Sequence, residues 1–173
     1  MKLLNFPKIL QNYKYDCGAR ATQGILAYYG IDVREQVIVK YTKTNEQGTP
    51  LQKITQTLKK FGIKANLKQL TIDELKKQIN KGNPIIIVIQ AWAKNNHLDW
   101  KKDWKDGHYV VVIGYDKNRI YFEDPSSIFK TYLSIKELKE RWHDIDIKGE
   151  KYINYGILVN SKKHNKKEYI KMH

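Results

Sequence analysis

The chain has 173 residues, 41% hydrophobic and 12% aromatic, and 32 Lys plus Arg against 18 Asp plus Glu leave a net charge of +14. This suits one globular domain with a real core, expected over residues 1–160, followed by a basic tail over 161–173. A single cysteine excludes an internal disulfide, and no apolar run approaches the roughly 18 residues of a membrane span.

The positive charge is carried mostly by lysines spread over the predicted helix faces and the tail, with no Arg-rich reading surface, so nucleic acid is not an expected partner. The start Met-Lys-Leu-Leu-Asn-Phe-Pro-Lys lacks the apolar run of a signal peptide. The expectation is a soluble, cytoplasmic monomer without an integral membrane segment.

The segment from Gln11 to Gly18 sets the only cysteine, Cys17, behind Asp16, a favoured N-cap residue. Ala19, Ala21, Ile25, Leu26 and Tyr29 follow at helical spacing until Gly30. At the first helical position, unpaired backbone N–H groups and the positive end of the helix dipole favour a thiolate. A second helix is expected from Val33 to Tyr41. A third opens at Thr49-Pro50, with Thr49 as N-cap and Pro50 at the first helical position, and closes at Gly62.

Ile63, Ala65 and Leu67 alternate like a strand, and Thr71 to Glu74 forms a capping box, with Leu70 and Leu75 as a hydrophobic staple, for a helix ending near Gly82. Pro84 to Ile89 reads as a central strand buried on both faces. Ala93 to Gly107 reads as a long loop, whose Trp100 and Trp104 are candidate substrate-gripping residues. His108 to Tyr115 and Ile120 to Asp124 form a predicted hairpin. Ser134 to Glu137 is a second capping box, stapled by Leu133 and Leu138, and Tyr152 to Val159 is a last strand. Helices come mostly first and strands mostly last, which points to an α+β fold with an antiparallel sheet.

A cysteine nucleophile needs a base and a group that orients the base. Among five histidines, His108 is the one that opens a buried strand beside a loop. If the hairpin loop is Asp116 to Asn118, with Asn118 left-handed, then Tyr115 faces Arg119 and Val110 faces Asp124. That register places Asp124 diagonally from His108 on one sheet face; a two-residue loop would turn it away. Pro125 ends the ladder and fixes that carboxylate at a strand end. Gln11, six residues before Cys17, can return its amide towards the sulfur and form an oxyanion hole with the Cys17 N–H.

The segment Gln11 to Gly30, with Asp16-Cys17-Gly18-Ala19 and Tyr28-Tyr29-Gly30, resembles the papain-like cysteine peptidases of family C39. So does Gly107-His108-Tyr109-Val110-Val111-Val112-Ile113-Gly114-Tyr115-Asp116, continuing to Asp124-Pro125. The resemblance implies a papain-like fold, N-terminal helices packed against the antiparallel sheet, and no cofactor. It also implies Cys17 as nucleophile, His108 as base and then acid, Asp124 as its orienter and Gln11 as oxyanion donor. Asp16 and Tyr109 join Trp100 and Trp104 as candidate substrate-binding residues. The expected substrate is a peptide or protein, with cleavage after Gly-Gly in a leader peptide and association with an exporter as the finer expectations. The alternative is a module that binds leader peptides in the same groove without cutting them. A metal site at His97, Asp99, Asp103, Asp106 and His108 matches no standard spacing, so no metal is expected.

Overall fold

Order in the computed structural model begins with a short strand β1 (Lys2–Leu3), then three helices, α1 (Cys17–Tyr28), α2 (Glu35–Thr42) and α3 (Leu51–Lys60). The structure describes residues 1–94, 99–162 and 171. Residues 95–98, including His97, and most of the basic tail, with His164 and His173, lie outside the described residues. The third helix begins one residue later than expected. Pro50 is its N-cap in extended conformation (φ −64°, ψ 131°), so Thr49 stands one place outside. Leu51, Ile54 and Leu58 form its buried stripe, and Gly62 closes the turn at φ +82°, a conformation glycine adopts without strain.

Strand β2 (Lys64–Gln69) leads into α4 (Ile72–Asn80), where Thr71 and Glu74 cap each other as the sequence expects. Strand β3 (Ile85–Gln90) is buried at every position, so both faces of the sheet are covered there. It is followed by β4 (Gly107–Tyr115), β5 (Arg119–Glu123), β6 (Thr131–Ser134), α5 (Ile135–Arg141), β7 (His143–Ile145), β8 (Lys151–Ile153) and β9 (Tyr155–Asn160). The main sheet runs β2-β9-β3-β4-β5-β6, with β1 added to β4, and every pairing is antiparallel. The expected single last strand is two: Asn154, at φ +58°, breaks it, sending β8 to pair with β7 and β9 into the main sheet.

The hairpin between β4 and β5 also departs from expectation. Tyr115 faces Ile120 rather than Arg119, Asn118 is not left-handed, and the Asp116 carboxylate closes the turn by accepting from the N–H groups of Asn118 and Arg119. The register then shifts between Val112 and Gly114, so that Val111 faces Glu123. A bulge at Ile113 thus restores the pairing that sets Asp124 beside Val110. Its carbonyl accepts from Leu4 N–H, and a Cβ at Gly114 would meet the Lys2 carbonyl at 2.5 Å, which is how β1 adds to the same strand.

No helix among the described residues is long and apolar enough to cross a membrane.

Candidate active site

Helix α1 begins at Cys17, which is 6% exposed and borders a cleft of about 620 Å³. Asp16 occupies the N-cap place but caps nothing. Its carboxylate instead accepts from the backbone N–H groups of Asn12 and Tyr13, each at 3.2 Å, with Arg20 Nε 3.7 Å away. At 1% exposure Asp16 has no surface to offer a substrate. Its part is to fold the turn that delivers Cys17 to the cleft, and this corrects its placing among the substrate-binding residues.

His108 is the second residue of β4, opposite Ile89 of β3, and Asp124 stands just past the end of β5. Both are buried. His108 Nε2 lies 2.7 Å from Asp124 Oδ1. Burial opposes ionisation of Asp124, but the His108 hydrogen bond and charge, the Ser126 N–H and the Trp92 indole together hold its pKa below the ordinary carboxylate value. An ionised carboxylate only accepts, so Nε2 carries the donated proton and Nδ1 is the nitrogen left for the sulfur. Cys17 is near enough to the ring to act on its protonation. Burial alone would depress the imidazolium, yet hydrogen bonds and charges from Asp124 and Cys17 outweigh it and raise His108 to about 9.

Asp124 has three further donors: Ser126 N–H at 2.8 Å, Trp92 Nε1 at 3.1 Å and Thr131 Oγ1 at 3.3 Å. Sequence reasoning missed Trp92. It lies just beyond β3, in the left-handed region at φ +61°, and the residue is 60% exposed. Such a backbone is rare for tryptophan, and strain of this kind concentrates at functional sites. Gln90 was missed too. Fully buried, it donates to the His143 carbonyl and to Asp144 Oδ1 and accepts from Asp106 N–H, which pins the end of β4 that carries His108.

The cleft runs between the segment from Asn45 to Lys53 on the helical side and Gly107, Tyr109 and the β7–β8 hairpin on the sheet side. Tyr109 lines it, but its hydroxyl donates to the Thr49 carbonyl at 2.8 Å, leaving only the ring wall for a ligand. Burial of Asp144 in the opposite wall raises its pKa to about 6. A Cβ at Gly107 would meet that carboxylate at 2.5 Å, so a larger residue there must displace Asp144.

Trp100 and Trp104 are elsewhere. The Arg141 guanidinium covers Trp100 at 3.9 Å, while Trp104 packs on His143 at 4.4 Å with Lys151 above it. They pin their loop to α5 and the β7–β8 hairpin, and neither borders the cleft. Gln11 lies on the Asp124 side. Its amide donates to the Tyr13 carbonyl and its Oε1 accepts from Ser126 Oγ, so it is not turned to the sulfur. Among the described residues no group of three or more His, Cys, Asp or Glu is placed to hold a metal ion.

Comparison with known proteins gives the family and the fold. The model of the Peptidase C39 family matches residues 5–151. The pediocin PA-1 transport/processing ATP-binding protein PedD of Pediococcus acidilactici is 27% identical over 133 residues, 76% of this chain but only 17% of that protein. The chain therefore spans about a sixth of this curated relative. A C39-like peptidase from Bacillus anthracis superposes with a TM-score of 0.70 at 18% identity, over 95% of this chain and all of that one. A double glycine motif protease from an AMS/PCAT transporter, solved with its leader peptide, superposes at 0.67 and 18% identity, over 91% of this chain and 92% of its own. The fold is the papain-like one of C39 peptidase domains, and with the family pattern running through most of its length, this chain belongs to the Peptidase C39 family.

Proposed function

We propose that the chain is a cysteine peptidase that cuts a peptide bond through an acyl-enzyme intermediate. The observation that carries this reading is the buried Asp124–His108 pair, with Oδ1 2.7 Å from Nε2 and the ring under the influence of Cys17, which stands at the head of α1 on the edge of a cleft. His108 takes the thiol proton through Nδ1, and the thiolate adds to the scissile carbonyl. The ring then gives its proton to the departing amine, and water attacks the thioester to release the acyl half.

The backbone N–H of Cys17 is one oxyanion donor. Gln11 becomes the second when its amide exchanges the Tyr13 carbonyl for the developing oxyanion. Thr49 and Tyr109 press on the backbone at Gly18, beside the sulfur, where an added Cβ would meet them at 2.7 and 2.9 Å. Cleavage after two glycines in a leader peptide is the finer form of this reading, by likeness to the double glycine motif protease that shares the fold. Association with an exporter is the corresponding partner, and a monomer suffices because Cys17, His108 and Asp124 all come from one chain.

The test is hydrolysis of Gly-Gly leader peptides by the wild-type protein and by Cys17→Ala, followed by mass spectrometry. Turnover is expected to vanish in Cys17→Ala while the melting temperature stays within a few degrees of wild type, since the change removes one small buried atom. Equal cleavage by both proteins refutes the mechanism, and binding without cleavage by the wild type identifies a non-cutting leader-binding module.

A further inference from the structure

The large cleft borders Cys17 but not His108, and so accounts for one side of the site only. A second hollow of about 310 Å³ opens on the other side, lined by Leu10, Gln11, Tyr13, Pro125, Ser126 and Ile128 among others. Its apolar side chains face solvent: Leu10 is 41%, Tyr13 57% and Ile128 69% exposed, and the neighbouring Phe129 is 72% exposed. The floor of the hollow is tied to the orienting carboxylate. Ser126 N–H donates to Asp124 Oδ1, and Gln11 N–H donates to the Pro125 carbonyl. The exposed Trp92 ring hangs from the other oxygen of Asp124. Lys14 borders both hollows, so they adjoin across the turn before Cys17.

Resting on the peptidase reading, we propose that this second hollow receives the residues downstream of the cut and selects large apolar side chains there. The chemistry supplies the direction. In acyl transfer the acyl half stays on the sulfur, whereas the amine half leaves after taking a proton from His108. The large cleft is the sulfur's; the second hollow begins at the residues following Asp124, on the imidazole side. Exposed Ile128, Leu10 and Tyr13 in one concavity, joined to Asp124 through Pro125 and Ser126, gain by covering an aliphatic or aromatic side chain and nothing by covering a charged one.

Digestion of a library of Gly-Gly leader peptides, randomised at the residues on both sides of the cut, by wild type and by Ile128→Asp, with all cuts mapped by mass spectrometry, tests the proposal. In the wild type, Ile, Leu, Val and Phe are expected to be enriched about threefold or more at the first two positions after the cut, the scale of selection that a modest apolar pocket supplies. In Ile128→Asp that enrichment is lost and the upstream preferences persist. Because Ile128 is mostly exposed, its replacement leaves the fold intact, and alkylation of Cys17 by a peptidyl chloromethyl ketone carrying only acyl-side residues proceeds at the wild-type rate. Cuts without downstream apolar enrichment, or enrichment unchanged in the variant, overturn the proposal and leave the peptidase reading standing. A library left entirely uncut overturns that reading, and this one with it.

Discussion

Asp124 holds four donors on one carboxylate, and the purpose of that investment is the ring of His108. A carboxylate fixed this way selects the tautomer and stabilises the imidazolium, since both its charge and its hydrogen bond favour the protonated ring. The sign for pH follows. His108 is raised from an ordinary 6.5 to about 9, so the stability it contributes is fully present below 6.5 and disappears as pH rises through about 9. The same deprotonation removes the acid that the leaving amine needs. The pH profile of kcat/KM is therefore expected to fall above about 9 in the wild type. Asp124→Asn keeps the shape but deletes the charge, so its falling limb moves to lower pH and kcat drops about a hundredfold or more. An unmoved limb in that variant means that Asp124 does not tune His108.

At the scale of single elements, the two capping boxes were readable because each is a contact made within four residues. Ser134 and Glu137 exchange hydrogen bonds at the start of α5, and Thr71 and Glu74 do the same for α4. Ser134→Ala is expected to lower stability by about 1 kcal/mol in denaturant unfolding, with activity per folded molecule unchanged, because the cap is local. A loss of activity without a loss of stability would tie α5 to the site instead. Other local features were not readable, and the reason is tertiary. Asp16 has the right residue type for a cap, but the preceding turn claims its carboxylate. The turn after β4 is one residue longer than expected, and the bulge that compensates for it is stabilised by β1, which no local pattern announces. Asn154 turns to φ +58° while its N–H donates to the Trp142 carbonyl, a partner supplied from outside the strand.

Across the whole molecule, the class of fold was legible because it depends on residue types and their order. The placement of particular side chains was less so. Trp100 and Trp104 looked available in sequence, but Arg141 and His143 from later elements occupy their faces. Trp92 belongs to no motif in the sequence, and only the folded position of Asp124 reveals its indole as a donor to that carboxylate. What the tertiary structure accomplishes is the meeting of α1 with β4. The sheet holds His108 in place through buried β3 and Gln90, while the turn around Asp16 holds the start of α1 against it. The most direct test of that meeting is the rate of Cys17 alkylation by iodoacetamide at neutral pH, compared between wild type and His108→Ala with both shown to be folded. The imidazole is expected to accelerate labelling about tenfold or more by accepting the thiol proton as the sulfur attacks, with that advantage gone in His108→Ala. Equal rates in the two proteins would contradict the pairing of sulfur and imidazole on which the account rests.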